Sequence, residues 1–156
     1  MRNTIRLTLL PAAVLLIGAV AATTIAFAED DTPTPDNAAN PNYTAAKSLV
    51  DAGKYDEAMP QLQALDKATP NNPDILNLIG FSLRKTGHPD QALGYYNRAL
   101  AEKPDHLDAN EYLGELYLEL KQPGKAEERL AVLQKACGTC AEYQELKEKI
   151  AQQAAN

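Results

Sequence analysis

Residues 76–104 read LNLIGFSLRKTGHPDQALGYYNRALAEKP, and the spacing within this stretch decides the fold. Two series of apolar residues recur at the three- and four-residue intervals of an α-helix: Leu76, Ile79 and Leu83, and then Ala92, Tyr96 and Ala99. Between the two series, Gly87 is suited to end a helix in the left-handed conformation, and Pro89 is suited to the first turn of the next helix. The stretch therefore predicts two helices joined by a short turn.

The pattern returns at an interval of 34 residues, in the blocks 39–72, 73–106 and 107–140. Small or apolar residues share four columns of these blocks: Ala46, Gly80 and Gly114; Leu49, Leu83 and Tyr117; Ala58, Ala92 and Ala126; Leu62, Tyr96 and Leu130. We expect Gly80 and Gly114 at the closest approach of paired helices, because a larger side chain would hold the helices apart. Helices are predicted at about 41–52, 55–69, 73–86, 89–102, 105–120, 123–136 and 140–152.

The turns and helix starts follow the same register. Gly53 and Gly87 are expected to end first helices, whereas the third block departs from the others over residues 121–124, so a distorted turn is expected there. The residues that precede helix-starting prolines are expected as N-caps: Asn40, Asn72 and His88.

These residues and columns resemble the tetratricopeptide repeat (TPR) family over about residues 39–140. The resemblance implies an all-α fold, a right-handed helix-turn-helix solenoid of about three 34-residue repeats that occupies residues 41–152. Helix 140–152 is predicted to cap the solenoid, closing its last apolar surface with Tyr143, Leu146 and Ile150. Its opposite, charged face is expected to point outward: Glu142, Glu145, Lys147, Glu148 and Lys149.

The amino terminus has the layout of a secretory signal peptide over residues 1–28. Arg2 and Arg6 precede an uncharged apolar run, and the sequence Ala-Phe-Ala ends at Ala28, after which cleavage is predicted. A Sec-type route would make the protein periplasmic or secreted, with no stable membrane anchor after cleavage. The alternative is an uncleaved inner-membrane anchor, because residues 7–28 carry no charge and are long enough to span a bilayer. Residues 29–40, EDDTPTPDNAAN, are predicted to be a disordered acidic linker.

The charge of the chain and the motifs that it lacks argue against several classes of function. The chain has 15 Lys and Arg against 21 Asp and Glu, a net charge of −6. An acidic chain disfavours nucleic acid and anionic lipid as partners, because both are bound through basic patches. The sequence contains no phosphate-binding glycine loop of the GxxxxGK[ST] kind. We expect no catalytic residue, no cofactor and no metal.

Cys137 and Cys140 form the only C-x-x-C motif, close to the start of the last helix. In an oxidising compartment we expect a local disulfide that fixes the third block to the capping helix. A working redox pair remains the alternative, because amide dipoles at a helix start favour a thiolate.

The resemblance implies that the first helix of each pair lines a concave groove that binds partners. Transferred by position, the groove residues in this chain are Tyr43, Lys47, Asn77, Phe81, Arg84, Lys85, Glu111, Tyr112 and Glu115. Phe81 is a candidate apolar anchor, and the glutamates of the third block are expected to form an acidic wall or a solvated face. One subclass of the family clamps a peptide's terminal carboxylate with Lys and Asn, but its positions hold Tyr43, Lys47, Leu78, Asp108 and Tyr112 here. The resemblance therefore does not imply a ligand held by a terminal carboxylate.

The leading functional hypothesis is a non-catalytic scaffold or adaptor in the bacterial cell envelope, with a protein or peptide partner in the groove. The alternative is a periplasmic thiol–disulfide or cytochrome-maturation accessory that uses Cys137 and Cys140. The oligomeric state is left open by the sequence.

Overall fold

A computed structural model describes residues 35–155, in which helices joined by short turns are the regular secondary structure. Its eight helices are α1 Pro35–Ala38, α2 Pro41–Asp51, α3 Tyr55–Ala68, α4 Pro73–Lys85, α5 Pro89–Glu102, α6 Leu107–Glu119, α7 Pro123–Ala136 and α8 Ala141–Ala154. The boundaries of α2–α8 lie within two residues of those that the 34-residue pattern predicts. The predicted signal peptide, the cleavage position after Ala28 and linker residues 29–34 lie outside the described residues.

The helices form a curved stack of antiparallel pairs, α2 with α3, α4 with α5 and α6 with α7. The first helices of the pairs contact one another in sequence, and α8 continues this row by packing against α6 as well as α7. The second helices α3, α5 and α7 contact one another less, so the row of first helices lies on the inside of the curve. The predicted fold class, an all-α solenoid of about three repeats with a terminal helix, is confirmed.

Close approach of helices explains the glycine column. A Cβ atom on Gly80 would lie 2.9 Å from the ring of Tyr96, which is buried between α4 and α5. A Cβ atom on Gly114 would meet the side chain of Leu146 on α8. The predicted close approach of paired helices is confirmed for Gly80, whereas Gly114 makes its close approach to the terminal helix α8 and not to its paired helix α7.

The three turns share one geometry, so the expected distortion of the third turn is wrong. Gly53 and Gly87 have φ of 73° and 81°, and Lys121 takes the same left-handed conformation with a φ of 59°. In each turn the residue that follows the left-handed one donates its backbone N–H to a carbonyl oxygen five positions before itself, as Gln122 does to Tyr117. Packing of α6 on α7 imposes this conformation on a lysine, although left-handed backbone favours glycine.

Helix caps follow the prediction for asparagine and depart from it for histidine. The side chains of Asn40 and Asn72 accept hydrogen bonds from the first-turn amides of α2 and α4, as expected. His88 makes no such bond at the start of α5. His106 instead caps α6, because its Nδ1 accepts a hydrogen bond from the Ala109 backbone N–H, and the ring is buried.

The end of the predicted linker is ordered. Residues 35–38 form the single turn α1, and Asn37 is buried. The Asn37 amide donates hydrogen bonds to Asn72 Oδ1 at 2.9 Å and to Asp74 Oδ2 at 2.5 Å. Over residues 35–40 the structure thus corrects the predicted disorder: a polar side chain, rather than an apolar one, fastens this segment to the start of α4. None of the helices described between residues 35 and 155 is long and apolar enough to cross a membrane.

Candidate partner-binding groove

The inner face of the solenoid is formed by α2, α4, α6 and α8, and the 34-residue register aligns their side chains. Lys47, Phe81, Glu115 and Lys149 occupy the same position on successive helices. We call the surface along this row the groove. The N-terminal half of the groove is aromatic, and its C-terminal half is charged.

The aromatic half is centred on Phe81, which is half-buried. Its ring centroid lies 6.0 Å from that of Tyr55 in an edge-on arrangement and 4.6 Å from that of Tyr112. Lys85 Nζ lies 5.1 Å from the Phe81 centroid, and the Arg84 guanidinium lies 5.6 Å from it. These contacts hold Phe81 at the surface between two helices, where a partner can reach its remaining exposed area.

A pocket of about 160 Å³ opens beside this cluster. Eight residues line it: Lys47, Val50, Asp51, Tyr55, Leu78, Phe81, Asp108 and Tyr112. Lys47 Nζ lies 2.9 Å from each carboxylate oxygen of Asp51, and this pair is solvent-exposed at the rim. The pocket has the size of one amino-acid side chain, which suits it to anchor a peptide rather than to enclose a substrate.

The charged half is a network of ion pairs around the buried Arg84 and Glu115 side chains, with Glu119 and Lys149 partly exposed at its edge. The Arg84 side chain is 3% exposed and lies 2.5 Å from a Glu115 oxygen and 3.0 Å from a Glu119 oxygen. Lys149 on α8 makes an ion pair with the same Glu115 and lies 3.8 Å from Glu111. The network joins α4, α6 and α8 across the groove floor and fixes their spacing.

Burial changes the ionisation of two groups in this network. The pKa of Glu111 is raised from 4.5 to about 8, chiefly by desolvation and next by the neighbouring Glu145 carboxylate, while Lys149 opposes the rise. Burial likewise lowers the pKa of Lys149. Glu111 therefore keeps its proton to higher pH than an exposed glutamate does.

The structure corrects part of the predicted groove. One repeat position, occupied by Tyr43, Asn77 and Glu111, is buried between neighbouring first helices, with exposed fractions of 4%, 2% and 4%. Arg84 and Glu115 are also buried, as partners of each other, so Arg84 is not a free cation for a ligand. Glu111 and Glu115 belong to the floor and do not form a solvated acidic wall. Four of the predicted residues reach the groove surface: Lys47, Phe81, Lys85 and Tyr112.

The expectation that Lys149 faces outward on the capping helix is also wrong. Lys149 points at α6, where it meets Glu115 and Glu111. The signal was present in the sequence, because position 149 follows position 115 by one more 34-residue interval. Extending the repeat register through α8 would have placed Lys149 in the groove. Asp108 and Tyr55 line the pocket but were not predicted as groove residues.

Cys137 and Cys140 lie at the corner between α7 and α8. The structure joins them by a disulfide with Cα atoms 5.6 Å apart, and both residues pack against the apolar cluster that includes Leu133 and Leu146. That the cellular protein carries this bond remains a prediction. Between residues 35 and 155, no three or more His, Cys, Asp or Glu side chains are grouped as metal ligands.

Paired helices stacked with an inner groove define the class of helical-repeat scaffolds, and comparison with known proteins gives the family. Two family models for the tetratricopeptide repeat match residues 83–150 and 43–80, which together exceed half of the chain. The chain belongs to the tetratricopeptide repeat family.

Relatives and solved structures agree with this assignment. "Tetratricopeptide repeat protein 37" of Xenopus laevis is 32% identical over 90 residues, which are 58% of this chain and 6% of that protein. The type III secretion chaperone SycD of Yersinia enterocolitica, solved with a peptide of the translocator YopD, has a TM-score of 0.62 at 20% identity and covers 72% of this chain and 86% of its own. The Sgt2 TPR domain of Aspergillus fumigatus has a TM-score of 0.67 at 16% identity, over 81% of this chain and 83% of its own. At these identities the structural likeness establishes the fold alone.

Proposed function

We propose that this protein is a non-catalytic binding scaffold that holds an extended segment of a partner protein in the groove. The observation that carries the proposal is the side-chain-sized pocket beside Phe81, lined by three aromatic rings on the inner face of the solenoid. Aromatic residues in partly enclosed positions are the usual anchors of protein recognition. The bound peptides of SycD and of PcrH, which was solved with the chaperone-binding region of PopD, support a peptide as the class of partner.

We further propose that the scaffold works in the bacterial cell envelope, after export and cleavage behind Ala28. The support is the sequence alone: two early arginines, an uncharged apolar run and an A-x-A site. Intact mass of the protein from an envelope fraction tests it. A species that starts at residue 29 is expected, and a species that starts at Met1 would leave the uncleaved inner-membrane anchor as the better account.

The groove is tested with a library of random 12-residue peptides displayed on phage and selected on the full chain. The groove variant is Lys47→Ala/Phe81→Ala, and the control is Gln61→Ala/Asn97→Ala, whose residues are exposed on α3 and α5. We expect selected peptides to bind the groove variant about tenfold or more weakly and the control normally, because truncation of an aromatic anchor commonly costs this much. Circular dichroism first verifies that all three proteins are equally folded.

Equal binding by the wild type and the groove variant would exclude the groove as the binding surface. The thiol–disulfide alternative has no supporting observation in residues 35–155, where Cys137 and Cys140 are half-buried against the core.

A further inference from the structure

We propose that the bond between Cys137 and Cys140 is a redox latch: the disulfide holds α8 against α6, and its reduction releases α8 and opens the charged half of the groove. In this role the two cysteines regulate the chain that carries them and catalyse no reaction on a substrate. The inference goes beyond the proposed function, and no ligand is needed to test it.

The disulfide spans the corner that sets the direction of α8. Cys137 is the C-cap of α7, and Cys140 is the N-cap of α8. Gly138 and Thr139 lie between them, and Gly138 takes the left-handed conformation with a φ of 69°. Without the bond this short, glycine-containing corner has many backbone conformations, and α8 can leave α7 in many directions. Closing the bond removes most of them.

The terminal helix depends on this restraint because it buries little of its own surface. Leu146 is the one residue of α8 that is buried, whereas α4 and α6 each bury most of their residues. Helix α8 packs against α6 and α7, and no further helix follows it within residues 35–155. An element with few buried apolar side chains has a low free energy of local opening, so α8 is the helix that a broken restraint at the corner releases first.

The same helix completes the charged half of the groove. Lys149 makes an ion pair with Glu115 and lies 3.8 Å from Glu111. Gln153 Nε2 donates a hydrogen bond of 3.1 Å to the carbonyl oxygen of Leu118. When α8 leaves α6 these contacts break, and water reaches both carboxyl groups. Opening of the latch therefore changes the charge as well as the shape of this half of the groove.

The latch opens by thiol–disulfide exchange with a dithiol reductant. A thiolate of the reductant attacks one cysteine sulfur, the S–S bond breaks, and the other sulfur leaves as a thiolate that takes up a proton. The second thiol of the reductant then displaces the remaining cysteine from the mixed disulfide. The protein thus gains two electrons and two protons, and the dithiol is oxidised to a disulfide.

The corner suits this exchange. Cys140 is the better leaving group, because the amide dipoles in the first turn of α8 stabilise a negative charge on its sulfur. Both cysteines are half-buried, and Thr139 between them is exposed, so a reductant can approach from solvent.

The first test is hydrogen–deuterium exchange, read by mass spectrometry, on the full-length oxidised protein and on the same protein in dithiothreitol. We expect the amides of α8 to exchange roughly tenfold faster after reduction and those of α2–α5 to exchange as before. Cys137→Ser/Cys140→Ser is the control, and its α8 should exchange fast with and without the reductant. Unchanged exchange in α8, an equal rise in every helix, or a bond that dithiothreitol does not open in the folded protein would each overturn the latch.

The second test uses reciprocity, since a bond that favours the seated α8 must itself be favoured by that seat. Leu146→Ala weakens the contact of α8 with α6, so in mixtures of reduced and oxidised dithiothreitol its equilibrium constant for reduction should rise about threefold or more. Leu62→Ala is the matched control, because Leu62 on α3 is equally buried but lies at the other end of the solenoid, and it should keep the wild-type constant. A wild-type constant in Leu146→Ala would overturn the latch and leave the proposed peptide-binding function untouched.

Discussion

Gly114 leaves the space that Leu146 fills. A Cβ atom on Gly114 would lie 2.5 Å from Leu146 Cδ2, and Leu146 is fully buried between α8 and α6. This contact seats the terminal helix on the last repeat, and with it the groove side chain Lys149.

We predict that Gly114→Ala destabilises the protein by about 1–3 kcal/mol, because an added methyl group overfills a close helix contact. Gly94→Ala is the matched control, since Gly94 also lies within a helix but an added Cβ atom there meets nothing within 4 Å. Gly94→Ala should stabilise by roughly 0.5–1 kcal/mol through its higher helix propensity. Urea unfolding measures both, and equal effects of the two substitutions would contradict the packing of α8 described above.

Glu111 should make stability depend on pH. Its pKa is about 8 in the folded protein, raised from 4.5 chiefly by burial. The unfolded chain therefore loses this proton at lower pH than the folded chain, so Glu111 makes the unfolding free energy fall as pH rises from about 4.5 to 8. Glu111→Gln should flatten the slope and stabilise the protein at pH 8.

The measurement is urea unfolding at pH 5, 6.5 and 8. The charged groups that act on Glu111 are Lys149 and Glu145 on α8 and Asp108 on its own helix, and all of them stay in place in the variant. Glu148→Gln, on the exposed side of α8, is the control and should keep the wild-type slope. If Glu111→Gln left the dependence of the unfolding free energy on pH unchanged, the Glu111 carboxyl group would not be the cause of that dependence.

The helices were predictable because their signal is local and periodic. The 34-residue interval placed Gly80 at a close approach of paired helices, where the structure shows it against Tyr96, and located every long helix to within two residues. Such contacts can be predicted from sequence because a glycine at a repeated apolar position indicates that two helices approach each other closely there. The left-handed conformation of Lys121 was not predictable in the same way, since the packing of α6 on α7 overrides the preference of a lysine for negative φ.

The groove was less predictable because exposure depends on distances between repeats. Tyr43, Asn77 and Glu111 share one repeat position and were expected at the surface, yet neighbouring first helices close over them. Arg84 and Glu115 lie 31 positions apart in the sequence and on different helices, so no local pattern indicates their pairing. Polar residues at repeat positions thus identify the inner face of the solenoid. Only the structure shows which of them are buried in the groove floor and which are exposed.

If the protein is exported as proposed, we predict that it contains no free thiol. Cys137 and Cys140 are bonded in the structure, and a short loop of this kind contributes about 2 kcal/mol in the chain-entropy account. A mass-tagged maleimide applied without reductant should therefore cause no shift. Replacement of both cysteines by serine should lower the melting temperature modestly and keep the protein helical, whereas a shift of two tags in freshly isolated envelope would favour a redox role.

Arg84 should contribute to stability more than to ligand binding. Its side chain is buried and pairs with Glu115 and Glu119, so Arg84→Ala leaves a void and removes one partner of a buried carboxylate. Loss of one member of a buried pair commonly costs about 3 kcal/mol. Arg84→Met should recover part of this loss, because it fills the volume, and the Lys149 ammonium remains to pair with Glu115. Lys85→Ala, at the exposed neighbouring position, should change stability by less than about 0.5 kcal/mol. Urea unfolding of the four proteins checks the order, and a stable Arg84→Ala that binds no peptide would instead place this guanidinium among the ligand contacts.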